Sequence, residues 1–167
     1  AVAEALGCGP RASDPETALH VGAHLVPRLM KAAPLWESGF RLHLHSRGAI
    51  RHLVVESQPP LAWAGVEEVR MRVLAVGLNF RDVLLVLGEY PGDPGPPGGD
   101  MSGVVDACGA AAQPSHAIGG SVYGLGCAPL ASAALAAAAL LSAKPAALSF
   151  EEASTLPITW CTAHVTV

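Results

Sequence analysis

The stretch Gly77–Gly92, GLNFRDVLLVLGEYPG, decides how this chain is read. Apolar residues alternate through Val69, Met71 and Val73 just before it, which predicts a β-strand running into it. An amide (Asn79), an aromatic (Phe80) and an Arg81–Asp82 pair follow. Val83, Leu84, Val86 and Leu87 then predict a short helix stopped by Gly88, and Tyr90 stands just before Pro91–Gly92. A plain core segment has no need of Asn79, Arg81, Asp82 and Tyr90 around so much apolar surface. From the residues alone, Asn79 reads as a turn former at a strand end. Arg81–Asp82 reads as a local ion pair or cap that fixes the helix start, and Tyr90 as a packed turn residue. A site built from Asn79 and Tyr90 is the alternative.

On either side the pattern is of short strands and turns. FRLHLHS (40–46) and IRHLVVESQPP (50–60) flank a turn at Arg47–Gly48 and predict a hairpin. PGDPGPPGGD (91–100) holds four prolines and four glycines and reads as a loop. MSGVVDACG (101–109) is a strand in which Gly103 allows close approach of another backbone, and GGSVYGLG (119–126) is a turn and strand. Local propensity favours helix from about Ala131 to Leu141, but the surrounding short-strand pattern favours strand, and strand is the reading adopted. Ser149 caps a final helix with Glu151 and Glu152 in its first turn, interrupted at Pro157. Residues 1–38 read as a boundary region, with ALHVGAHLVPRLMKA (18–32) strand-like or helical and broken by Pro27. The expected fold is mainly β with short helices, a partly open β-barrel over 39–148 followed by a helical segment, 149–167.

The 167 residues are 51% hydrophobic and 14% charged with formal net charge −4, enough for one ordinary domain and unlike a disordered tail. There is no basic block, so nucleic acid is not an expected partner. No apolar run reaches the roughly 18–20 residues that span a bilayer, so no membrane is expected. The first residues resemble no secretory signal and lack an initiating Met, which reads as a piece of something longer. Cys8, Cys108, Cys127 and Cys161 form no C-x-x-C pair and are expected to be free thiols in a reducing cytosol. His43 and His45 share one face of a strand, as metal ligands can. No Cys or carboxylate at matching spacing joins them, so no metal site is expected there.

VGLNFRDVLLVLGEYPG, GGDMSGVV, GGSVYGLG and KPAALSFEEASTLPITWCTAH stand in the order and spacing of the medium-chain dehydrogenase/reductase superfamily. Within it they most resemble the enoyl reductase domains of type I polyketide and fatty acid synthases, and quinone oxidoreductases more distantly. The resemblance covers about 39–167, and 15–38 resembles the segment joining such a domain to the one before it. It implies a GroES-like substrate-binding barrel followed by a Rossmann domain, which is absent from this chain. The residues agree that the nucleotide loop is missing. A G-x-G-x-x-G turn is needed to cradle pyrophosphate, and after Gly124–Leu125–Gly126 its third glycine position is Pro129. Zinc-binding members carry a Cys and a Gly-His-Glu where this chain has Asn79–Phe80–Arg81 and Gly98–Gly99–Asp100, so no catalytic metal is expected. Asp100 itself replaces a Glu usual in the family.

The resemblance implies NADPH as cofactor and reduction of an α,β-unsaturated thioester on an acyl carrier protein, beside neighbouring synthase domains in the cytoplasm. It is compatible with a homodimer of the parent. It further implies that Tyr90 lies over the substrate α-carbon as proton donor or as the residue that sets the face of protonation. Asn79 and Thr162 would contact the nicotinamide end of the cofactor, while Phe80 and Leu87, with Val83 and Leu84, would keep the cleft dry. His164 occupies a position that is usually aromatic in the family. A free-standing quinone or enone reductase and a non-catalytic barrel are the competing readings.

Overall fold

A computed structural model describes residues 18–20, 23–25, 39–62, 65–93 and 95–166. The chain divides into two units, Ala1–Pro34 and Leu35–Val167. In the first, the ambiguous stretch contains two short antiparallel strands, β1 (Ala18–His20) and β2 (Ala23–Leu25). Cys8, the break at Pro27 and the remainder of 1–38 lie outside the described residues.

In the second unit the expected hairpin forms from β3 (Phe40–Leu44) and β4 (Leu53–Ser57), paired antiparallel with Leu44 opposite Leu53. It also places a carboxylate where the spacing along β3 showed none. Glu56, on the facing strand, lies 3.9 Å from His43 Nδ1 and 3.6 Å from His45 Nε2. That carboxylate is already engaged by Arg41, whose Nε and Nη2 donate to it at 2.8 and 2.6 Å and hold it below the usual carboxylate range. Among the described residues no group of three or more His, Cys, Asp or Glu is placed to hold a metal ion.

A five-stranded antiparallel sheet in the order β8-β5-β6-β7-β9 carries the core. Its strands are β5 (Glu68–Gly77), β6 (Asp100–Cys108), β7 (Ser121–Leu125), β8 (Ala133–Ala137) and β9 (Leu141–Ala143). Period-2 alternation sends Val69 and Met71 of β5 inward, to pack with Met101, Val105, Val122, Ala134, Ala136 and Leu141. The Ala-rich segment becomes a strand because β5 offers it a complete ladder, Glu68 opposite Ala137 through Arg72 opposite Ala133. Ala134 and Ala136 are buried there. The sub-kcal propensity of Ala for helix loses to those hydrogen bonds and that burial. Only a single 3₁₀ turn, Ala138–Leu140, interrupts it before β9.

Among the described residues three α-helices complete the unit: α1 (Phe80–Leu87), α2 (Phe150–Ser154) and α3 (Pro157–Thr166). The N-terminus of α2 is a reciprocal capping box, with Ser149 Oγ accepting from Glu152 N–H at 3.1 Å and the Glu152 carboxylate accepting from Ser149 N–H at 2.8 Å. None of the helices among the described residues is long and apolar enough to cross a membrane.

At Gly103 β6 lies so close to β5 that a Cβ there would run into the Arg72 carbonyl oxygen. Gly103→Ala should therefore destabilise the unit by about 1–3 kcal/mol, the range for overpacking. Urea denaturation should show a lower midpoint at unchanged slope. An unchanged midpoint would contradict the close approach.

Candidate active site

Strand β5 delivers the chain to Asn79, the N-cap of α1. The Asp82 carboxylate accepts from Asn79 N–H at 2.9 Å, the return half of a capping box, and with its other oxygen from Gly98 N–H at 2.8 Å. Asp82 thus ties the helix start to the far end of the Pro/Gly loop. Arg81 Nη1 lies 4.0 Å from the same carboxylate, so the Arg81–Asp82 pair is the expected cap and ion pair, with a loop tether added.

Asp100 begins β6 and is buried. Its carboxylate accepts from Asn79 Nδ2 at 3.1 Å and from the backbone N–H of Ile158, in the first turn of α3, at 3.1 Å. A carboxylate can only accept, so this bond fixes the orientation of the Asn79 amide: Nδ2 faces Asp100 and Oδ1 is the accepting end, which the capping box turns toward the Asp82 N–H and which keeps a second lone pair. Burial pushes the Asp100 carboxyl up. The bonds from Asn79 and Ile158 oppose that rise, and the charge of Asp82 adds to it. The resemblance implied only that Asp100 stands where a longer Glu is usual, and the link it makes to α3 spans 58 positions of the chain.

The helix ends at Gly88, which sits in the left-handed region (φ 79°) that glycine adopts without cost. The chain then doubles back, and Glu89 N–H and Tyr90 N–H both reach Leu84 O, at 2.9 and 3.2 Å. Arg47, from the turn of the β3–β4 hairpin, donates to Gly92 O at 2.9 Å and to Asp93 at 2.6 Å, and Gly48 N–H donates to Val86 O at 2.9 Å. The segment carrying Tyr90 is therefore anchored at the helix end, from the hairpin turn and, through Asp82, at Gly98. The Tyr90 ring is half-buried with the Arg81 guanidinium 5.8 Å from its centroid, and among the described residues its hydroxyl has no hydrogen-bond partner.

Phe80 and Leu87 are 74% and 39% exposed, so within this chain they form an open apolar face rather than the walls of a closed cleft. Leu78 and Val83 extend that face. Thr162 is exposed on α3, where its carbonyl accepts from Thr166, and His164 is exposed on the same helix. Asn79 is linked to the start of α3 through Asp100, whereas among the described residues no hydrogen bond links Thr162 to Asn79 or Tyr90. A separate apolar groove of about 550 Å³ runs between Tyr123, Leu125, Leu140, Leu148, Leu156 and Trp160 and does not include Tyr90.

The glycines nearest to a nucleotide fingerprint are spent on packing. A Cβ at Gly124 would meet the Leu140 carbonyl, and one at Gly126 would meet the Met101 side chain. Gly124 belongs to β7 and Gly126 follows it directly, so neither opens a helix whose N–H groups could hold phosphate. These residues do not fit a pyrophosphate.

Residues 65–160 match the family model of the alcohol dehydrogenase GroES-like domain. The chain is 38% identical over 161 residues to the phenolphthiocerol synthesis polyketide synthase type I Pks15/1 of Mycobacterium marinum, covering 90% of this chain and 7% of that protein. In structure it is similar to the CurK enoyl reductase, with 30% identity and a TM-score of 0.70 over 78% of this chain and 42% of that one. Mycobacterial Rv1454c complexed with NADPH is similar at 25% identity and a TM-score of 0.67, over 77% of this chain and 40% of that one. The chain thus spans less than a tenth of the curated relative and about two fifths of each solved chain.

Two outcomes follow from this geometry. Because the folded Asp100 carboxyl is raised above its unfolded value, protonation favours the folded state, and stability from this group is gained as pH falls through the folded pKa. The difference in unfolding free energy between the wild type and Asp100→Asn, which does not titrate, should grow as pH is lowered from neutral into the carboxylate range. A difference flat with pH would refute the assignment. Separately, calorimetric titration of the 167-residue chain with NADPH should give no binding at micromolar concentration, because the glycines that would cradle its phosphates are packed. Micromolar or tighter affinity would contradict that.

Proposed function

Because the chain belongs to the alcohol dehydrogenase GroES-like family, we propose that it is the N-terminal, substrate-binding part (39–148) of an enoyl reductase in a polyketide or fatty acid synthase. In this reading 1–38 joins it to a preceding synthase domain and 149–167 leads toward a nucleotide-binding domain. The substrate is an α,β-unsaturated acyl group held as a thioester on the phosphopantetheine arm of an acyl carrier protein, in the cytoplasm. NADPH, held chiefly by residues outside this chain, would supply a hydride to the β-carbon.

The electron pair displaced from the double bond moves to the thioester oxygen, and the resulting enolate must take a proton at its α-carbon. This chain supplies the proton donor or the face. A phenol can donate a proton at neutral pH, and Tyr90 presents one whose hydroxyl is not engaged within the described residues. That single observation carries the reading: a tyrosine anchored by its backbone at Leu84 O, in a segment held by Arg47, with a hydroxyl that no described residue engages. Asn79 Oδ1, oriented by Asp100, would accept from the carboxamide or ribose of the cofactor, and Thr162 would face the same end from α3. Phe80 and Leu87 offer apolar surface that excludes water once substrate and the remaining protein cover it. The chemistry as written requires no metal.

The test uses the full-length protein, a 2-methyl-enoyl thioester on its carrier, and Tyr90→Phe, which keeps the apolar body of the side chain. If Tyr90 donates the proton, turnover should fall by up to about 10²–10⁴-fold, less where water substitutes. If it only sets the face, turnover should fall less and the product should show a mixed or inverted α-configuration. Unchanged rate together with unchanged configuration would return Tyr90 to a packed turn residue.

A further inference from the structure

We propose that Arg81 is the positioning residue for the Tyr90 ring, and that it thereby decides which face of the substrate α-carbon is protonated. This rests on the reading of Tyr90 given above. Tyr90 is restrained unevenly. Its backbone is tied to Leu84 O, and the segment beyond it is clamped by Arg47 at Gly92 and Asp93. The side chain keeps its two rotatable bonds, and no hydrogen bond at the hydroxyl fixes them among the described residues. The orientation of the ring, and with it the position of the hydroxyl oxygen, is then set by what lies against the ring face.

Arg81 lies over that face, with its Cζ 5.8 Å from the Tyr90 centroid. Its cationic head is attracted to the negative face of the π-system. A contact of this kind at a partly exposed site biases orientation by about two- to fivefold, and by more when covered from solvent. Arg81 side-chain exposure is 36%, so the lower range applies until substrate covers it.

The arginine is itself restrained. Its Nη1 lies 4.0 Å from the buried Asp82 carboxylate, which holds Asn79 N–H and Gly98 N–H. Position is therefore passed from the helix cap to the guanidinium and from there to the phenol ring. Arginine suits this better than lysine, because its planar, weakly hydrated head stacks on a ring, whereas an ammonium is a compact, strongly hydrated charge.

The experiment uses the full-length protein and a 2-methyl-enoyl thioester on its carrier. Reactions run to completion so that slow variants still report α-configuration, and turnover and Tm are recorded beside it. Arg81→Met should erode the wild-type configuration ratio by about two- to fivefold or more with Tm near that of the wild type. Arg81→Lys should restore part of the ratio. Arg81→Met added to Tyr90→Phe should change the ratio no further than Tyr90→Phe alone, since the arginine acts through the phenol. An intact ratio in Arg81→Met overturns the proposal, whether or not turnover and Tm fall, because lost stability alone does not select a face. Absence of product from every Arg81 variant overturns it too, by giving the arginine a direct or structural role. If Tyr90→Phe alters neither rate nor configuration, the underlying reading of Tyr90 has failed. If Tyr90→Phe alters configuration and Arg81→Met does not, only the inference about Arg81 has failed.

Discussion

Two buried carboxylates, Asp82 and Asp100, set the constraint on which the rest of the candidate site depends. A carboxylate out of water is costly unless its oxygens are matched by donors. Here each takes two: Asp82 the N–H groups of Asn79 and Gly98, Asp100 the Asn79 amide and the Ile158 N–H. Asn79 bonds to both, through its backbone and its side chain. The demand for four donors within one small volume brings together the start of α1, the end of the Pro/Gly loop, the start of β6 and the start of α3. Burial raises the Asp100 carboxyl, and repulsion from the Asp82 charge adds to the rise. The junction is therefore held by hydrogen bonding against electrostatic cost, and loss of any one donor leaves a buried oxygen unpaired.

The sheet behind this junction is packed from small and flexible residues. Alanines on β8 and methionines on β5 and β6 interlock, with Gly103 and Gly126 making room for them. Close packing makes the sheet a firm base. The candidate residues stand at its edge, on the helix, turn and loop where β5 ends and β6 begins, as functional residues on a rigid scaffold commonly do. The exposed Leu78, Phe80, Val83 and Leu87 belong to this edge, as does Tyr90. An exposed apolar surface is thus offered on one side of a structure whose firmness comes from the other.

The local elements were largely legible in the amino-acid order, because their causes are local. Alternation at Val69, Met71 and Val73 determines a strand whose odd positions face the core. Gly88 determines where α1 stops, and Ser149 with Glu152 determines where α2 begins, since a left-handed residue and a capping box each act within a few positions. That Gly124, Gly126 and Pro129 do not make a dinucleotide fingerprint was likewise readable, because that turn demands glycine at fixed spacings.

What only the tertiary structure decided depends on partners far apart in the chain. Ala133–Ala137 is a strand because β5 pairs with it, against its own propensity. Glu56 reaches His43 and His45 across a hairpin, where spacing along one strand could not reveal it. Asp100 is a junction because Ile158 lies beside it, and the Tyr90 ring meets Arg81 because the chain doubles back at Gly88. A residue type and its near neighbours determine how a segment is inclined to fold and what chemistry its side chain can do. Which donor meets a buried carboxylate, and which cation lies over a ring, is decided when separate segments share the same few ångströms.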